Sequence, residues 1–310
     1  MRVIELACDE SGSEGEHLVG GETDVFAHAS VRLTIEAATE CVLELRDRIR
    51  SPAREYKANH LLRSRHRPAL EWLLGASGPI HGNARVHLTD KAFFVVGRVV
   101  ELLVGDRAAA VTFYRSGRSG CGPGTWQVFL EAANELLRRY RGNAGAPVDG
   151  FFRAVEALPP HELAARLRRT RPRAEALRAQ LLAYNPRAVP VLDTLIPALA
   201  RAVVHWSRDG AAVSIVHDEH STLTVHRVAR LTELVGGACR LTGVRLVDSR
   251  SDPRVQVADF LAGVARKIAS DELNGRGDPE LTGLLRPYVD PRSVWADQPS
   301  WARLSRTAGP

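Results

Sequence analysis

Residues 2–13 read RVIELACDESGS. Val3, Ile4, Leu6 and Ala7 make the stretch apolar, and its pattern breaks at Ser11-Gly12-Ser13. It reads as a strand running into a turn, with two acids, Asp9 and Glu10, at its end. A second apolar run, 25–35 (VFAHASVRLTI), follows Gly20-Gly21 at the distance of a hairpin partner. Ala37, Cys41, Leu45 and Ile49 then recur at four-residue spacing, which predicts a helix over 36–50 that Pro52 ends.

Further along, 66–75 reads as helix, 84–90 (ARVHLTD) alternates as a strand, and 91–104 is an apolar helix. Four glycines and a proline in 115–125 (RSGRSGCGPGT) predict a loop. Helices are expected at about 125–141, 159–182 and 187–207. Residues 211–217 (AAVSIVH) form a strand that stops at Asp218-Glu219-His220, and 221–238 returns to helical spacing. A last strand, 243–248 (GVRLVD), precedes the helix VQVADFLAGVARKIA at 255–269, and the tail 289–310 is irregular. The expectation is one α/β domain over 1–310. A mixed sheet is flanked by helices, with a helical insertion at about 105–207 before the last strands.

The chain has 310 residues, 45% hydrophobic and 25% charged, which excludes disordered, collagen-like and coiled-coil classes. Lys plus Arg number 42 against 36 Asp plus Glu, so the +6 charge permits a polyanionic partner without requiring one. Lys57, Lys91 and Lys267 are the only lysines, so arginine is the default cation and a lysine is the more informative choice. Cys8, Cys41, Cys121 and Cys239 have no C-x-x-C spacing, which points to reduced thiols and a cytoplasmic location. The N-terminal acids exclude a secretory signal, and no apolar run has membrane-spanning length.

Three aspartates stand where structural economy would not place them. Asp9 and Asp218 end apolar strands, and Asp259 lies between Ala258 and Phe260 in an apolar helix. A buried carboxylate needs hydrogen-bond donors or a cation. Each also has a structural reading: Asp9 capping its own turn, Asp218-Glu219 a solvated strand end or helix cap, Asp259 bonded within the fold. Taken together, acids from two strand ends and one helix can converge at one edge of a sheet. Such hard oxygen donors suit Mg²⁺ or Mn²⁺, ions that activate water for phosphodiester cleavage.

The residues resemble a bacterial family known as domain of unknown function 3800. The resemblance rests on DESG (Asp9-Glu10-Ser11-Gly12), the segment Glu55-Tyr56-Lys57-Ala58, the strand ending in Asp218-Glu219, and the pattern from Ser249 through Gln256-Val257-Ala258-Asp259-Phe260-Leu261-Ala262-Gly263. These blocks span residues 3–263. The resemblance implies an RNase H-like sheet, with Asp9, Asp218 and Asp259 as metal ligands and Glu55 or Glu10 completing the shell. It places Ser249 and Gln256 as substrate contacts and implies nuclease or phosphodiesterase chemistry.

Lys57, two residues from Glu55, could stabilise charge on phosphate or orient water; its structural reading is a surface pair with Glu55. Arg115 and Arg118 in the glycine-rich segment could touch phosphates, although the segment lacks the ending of a P-loop. The run His217-Asp218-Glu219-His220, with His226, could hold a transition metal, or its histidines could simply be hydrogen-bonded. His60, His81 and His87 stand in no ligand spacing. Arg166, Arg168, Arg169, Arg171 and Arg173 form the densest basic block, a nucleic-acid contact or a solvated helix face. The leading expectation is a divalent-metal-dependent nuclease or phosphodiesterase acting on RNA or DNA. The alternatives are an enzyme on the same scaffold acting on a small phosphate-bearing or nucleoside-like metabolite, and a non-catalytic binding module.

Overall fold

The structure, a computed structural model, describes residues 3–50, 61–139, 145–183, 189–207, 210–236 and 239–305. Its strands are β1 (Val3–Ser11), β2 (Val25–Val31), β3 (Ala84–Asp90), β4 (Ala212–Asp218) and β5 (Arg240–Val247). The helices are α1 (Ile35–Ile49), α2 (Arg67–Leu74), α3 (Lys91–Leu103), α4 (Ala109–Gly120), α5 (Pro123–Leu137), α6 (Gly145–Glu156) and α7 (Glu162–Arg168). They continue with α8 (Arg171–Leu182), α9 (Leu195–Trp206), α10 (Val225–Val235), α11 (Pro253–Leu273), α12 (Pro279–Leu285) and α13 (Gln298–Leu304).

Alternation at the start of β1 leaves Val3 and Glu5 exposed while Ile4 and Leu6 are buried, and from Leu6 to Asp9 every residue is buried. That change marks an interior strand covered on both faces. The sheet order is β3-β2-β1-β4-β5, with β1 antiparallel to β2, β2 antiparallel to β3, and β1, β4 and β5 parallel. The hairpin pairing of β1 with β2 is as the sequence led us to expect. The chain is thus α/β, a five-stranded mixed sheet flanked by helices. No helix among the described residues is long and apolar enough to cross a membrane.

One sheet face, with Ala7, Ala27 and Val216, packs against α11, α1 and α2. The other, with Leu6, Cys8 and Ile215, packs against α9 and α10. Each Leu or Ile buried this way contributes about 2 kcal/mol. A separate, aromatic core forms among α3 to α8, around Phe113, Trp126, Phe129 and Phe151.

Several boundaries differ from expectation. The segment 115–125 is not a loop: α4 runs through Gly120 and α5 starts at Pro123. Gly117 is there for close packing, since a Cβ on it would meet the Trp126 ring at 2.3 Å. The expected helix at 159–182 is two, because Pro172 sits in the first turn of α8, where a missing N–H is harmless. Helix α6 was not foreseen. The tail, expected to be irregular, carries regular structure among its described residues: Val289 and Val294 bridge to β3, and α13 follows.

Candidate functional site

The register of β1 and β4 pairs Cys8 with His217, so Asp9 and Asp218 end two adjacent parallel strands. The carboxyl ends of parallel strands are where ligands bind in open α/β sheets. Helix α11 lies along β1 in the same direction. Glu5 bonds Arg254 near the start of α11, and Ser11 bonds Arg266 two-thirds of the way along it. Six residues of strand and twelve of helix both span roughly 20 Å, so the two elements stay in step. Asp259 falls between these anchors, on the half-buried stripe that also carries Gln256 and Arg266.

The turn after β1 explains two of the DESG residues. Ser11 Oγ accepts from Arg266 Nε at 2.9 Å. Gly12 has φ +85°, and a Cβ there would meet the Val25 carbonyl oxygen at 2.4 Å. The chain that follows is pinned from two sides. Asn134 Oδ1 accepts from the N–H groups of Leu18 and Val19, and fully buried Lys91 reaches Thr23 Oγ1 at 2.6 Å and Glu14 at 3.1 Å.

Two of the acids, Asp9 and Glu10, have raised carboxyls. Burial pushes the Asp9 carboxyl up to about 9, helped by the charges of Glu10, Asp259 and Asp218, and opposed by the backbone N–H of Glu10. That N–H donates to Asp9 Oδ1 at 2.7 Å. Burial also pushes Glu10 up to about 7, with Asp218 and Asp259 adding to it. Asp218 Oδ1 accepts from the N–H of Ser249 at 2.9 Å, so Ser249 serves the site through its backbone. Asp9, Glu10, Asp218 and Asp259 are therefore near enough to perturb one another.

On the other face of the sheet end lies a row that the sequence concealed. The registers pair Glu10 with His28 and His28 with His87, and His217 shares their face, opposite Cys8. All three imidazoles are buried, and His28 stacks on His217 with centroids 5.5 Å apart. Burial holds His217 down to about 4 and His28 well below the usual imidazole range. His87, which has no ligand spacing in the sequence, joins this row only because β2 and β3 pair. The signal in the sequence was one histidine in each of β2, β3 and β4, whose shared face is visible only if the registers are known.

The remaining expected residues are dispersed. Glu55, Lys57 and His60 lie outside the described residues. Arg115 donates to the Ala296 carbonyl at 2.6 Å. Arg118 bonds Tyr114 Oη and the carbonyl of Leu273, fourteen residues beyond Asp259, or about 21 Å along α11. Neither arginine is gathered with the acids. His226 is exposed on α10. In the basic block, Arg166 pairs with Asp106, Arg171 with Asp149, and Arg168 bonds the carbonyls of Val155 and Leu158. These three serve the helical core, which accounts for much of the block's charge.

A hard divalent cation would suit these carboxylates in charge and donor type, because it would offset the burial and the mutual repulsion that raise Asp9 and Glu10. The side chains do not stand as a completed site. Among the described residues, no group of three His, Cys, Asp or Glu is positioned to hold a metal ion. Beside the acids opens a cavity of about 410 Å³, lined by Ser13, Glu16, Arg139, His220, Thr222 and Arg227 among others. Compared with known proteins, the chain matches no family model, no curated protein and no solved structure.

Proposed function

We propose that this protein is a divalent-metal-dependent phosphodiester hydrolase on an RNase H-like sheet, acting on nucleic acid. The observation that carries the reading is that Asp9, Glu10 and Asp218 meet at the end of the two central parallel strands, near enough to one another and to Asp259 to raise the carboxyls of Asp9 and Glu10 beyond what burial does. Asp9 and Asp218 each accept one backbone N–H, from Glu10 and Ser249, a small number of donors for a buried carboxyl such as Asp9. The placement of the DESG and QVADFLAG blocks on β1 and α11, side by side, supports the resemblance to the domain of unknown function 3800 family.

In this reading Asp9, Asp218 and Asp259 would hold Mg²⁺ or Mn²⁺. The ion would supply a more acidic bound water and neutralise charge developing on phosphate. The protein's own part is positional. The N–H groups of Glu10 and Ser249 each fix one carboxylate oxygen and leave the other for the cation. Arg266, held on Ser11, keeps the tip of β1 seated on α11. Hydrolysis adds water to phosphorus, breaks the bond to the leaving oxygen, and leaves that oxygen protonated.

The test is cleavage of single-stranded and duplex RNA and DNA by the purified chain with Mg²⁺ or Mn²⁺. Metal-dependent cleavage that disappears in Asp9→Asn and Asp259→Asn is the expected result; equal cleavage in those variants or none in the wild type overturns it. The 410 Å³ cavity favours a second reading, in which the substrate is a small phosphate-bearing or nucleoside-like molecule held near Arg227 and Thr222. Cavities of that size enclose small ligands, not duplexes. Turnover of mononucleotides with no cleavage of polymers would select it.

A further inference from the structure

A larger cavity, of about 900 Å³, lies between α3, the beginning of α4 and the beginning of α9. Its walls are mostly apolar: Phe93 and Phe94 from α3, Val111 from α4, Ile196 from α9, and Pro190 and Val191 from the segment before α9. Phe93, Phe94 and Val111 are only half-buried, as residues bordering a void are. The mouth opens to solvent past exposed Arg107, Pro197 and Leu234. Protein interiors normally close voids of this size, so here apolar surface is left facing water. None of Asp9, Glu10, Asp218 and Asp259 lines it, so it is separate from the proposed phosphodiester site, although Pro190 and Asp193 border both cavities.

Gly97 lines the same cavity from the middle of α3, a helix of 13 residues. Glycine weakens a helix interior, so its presence there needs a reason. Gly117 in α4 has one in the Trp126 ring that packs on it. Gly97 has neither a positive φ nor a close neighbour: a Cβ on it would meet nothing within 4 Å. What the missing side chain does is keep that wall flat and the depth of the cavity open.

Three arginines, Arg98, Arg107 and Arg230, border the cavity against two acids, Glu101 and Asp193. Arg98 donates to Glu101 at 2.8 Å and to the Val191 carbonyl at 3.0 Å. Asp193 is paired with Arg227, and Arg230 with Glu233. Arg107 has no side-chain partner among the described residues, which leaves an uncancelled positive charge at the rim of an apolar space. An apolar body with one charged end fits such a space, and the planar fork of arginine suits a carboxylate. We propose that the cavity is a binding site for a fatty-acid-like monocarboxylate, with its chain along Phe93, Phe94 and Gly97 and its carboxylate on Arg107. The volume falls within the roughly 300–1,000 Å³ of small-molecule sites.

The experiment is calorimetric titration of the full chain with dodecanoate and with dodecyltrimethylammonium, its cationic counterpart, both below their micelle concentrations, in the wild type, Gly97→Leu and Arg107→Gln. The expected result is saturable binding of dodecanoate at one per chain, roughly tenfold or more tighter than the cation. Arg107→Gln, at an exposed position, should weaken dodecanoate roughly tenfold and narrow its advantage over the cation. Gly97→Leu should abolish binding and melt at the wild-type temperature or higher, because leucine is the better helix former and its side chain enters open space. Absence of saturable dodecanoate binding, equal binding of the two amphiphiles, or binding undiminished in Gly97→Leu overturns the proposal. A lower melting temperature in Gly97→Leu also overturns it, since the space beside Gly97 would then be closed.

Discussion

Asp9 and Asp290 are carboxylates of similar burial, 6% and 3% exposed, in opposite surroundings. Asp290 accepts from His87 Nδ1 and Arg201 Nε, both at 3.1 Å, and from the N–H of Arg292. Burial works against its charge, but the His87 and Arg201 bonds outweigh burial and hold the carboxyl well below the usual range. Asp90 stands between the two. Burial pushes it up to about 6, less far than Asp9, because Tyr114 Oη donates at 2.6 Å and Phe93 N–H at 3.0 Å, with Arg118 nearby. Asp9 has one N–H and three acidic neighbours. The molecule therefore satisfies buried acids wherever they hold the fold together, and leaves them unsatisfied at the end of β1. Such an exception is what a site for a cation looks like.

The sharpest way to break the comparison is Asp9→Asn. It should reduce metal-dependent cleavage on the order of a hundredfold or more, and leave the metal-free melting temperature at neutral pH unchanged or higher, since burial makes Asp9 take up a proton on folding, a cost that Asn does not carry. Destabilisation on thermal melting would show that Asp9 is structural after all. Asp290→Asn should behave oppositely. Leaving His87 and Arg201 without their acid costs about 3 kcal/mol in urea unfolding, with cleavage per folded molecule unaltered.

A smaller effect is expected at Tyr114→Phe, which removes one of the donors to Asp90 and costs about 2 kcal/mol by the same measurement. The smallest is a pH effect at Asp90 itself. Its folded carboxyl titrates near 6 and its unfolded one near 3.8, so between these values the folded chain holds a proton that the unfolded chain has released. Its stabilising contribution is present below 3.8 and lost as pH rises through 6. Asp90→Asn should make the urea midpoint less steeply dependent on pH across that window. An unchanged slope would mean that Tyr114 and Phe93 keep Asp90 ionised throughout.

Much of this could be read from local pattern. Four-residue spacing in 36–50 reproduces α1 closely because burial of one helix face imposes that period, and alternation in 84–90 marks β3 although both of its faces are buried. Composition misled at 115–125, where Gly117 and Gly120 suggested a loop. The sequence does not show that Trp126 packs on Gly117, so a glycine needed for contact looks like one needed for a turn. Likewise Arg118 and the Arg166–Arg171 block looked available for phosphate, whereas their partners, Leu273, Asp106 and Asp149, come from distant segments.

What the sequence by itself determined is the set of acids at strand ends, Asp9, Glu10 and Asp218, and the apolar helix that carries Asp259. Those follow from residue type and local period alone. Only the tertiary structure decided that β1 lies beside β4, that α11 follows β1 in step, and that His28, His87 and His217 share a face with Glu10. The physical reason is register. Strand pairing sets which side chains meet across residues as distant as Glu10 and His217, and a shift of one residue would send every one of them to the opposite face.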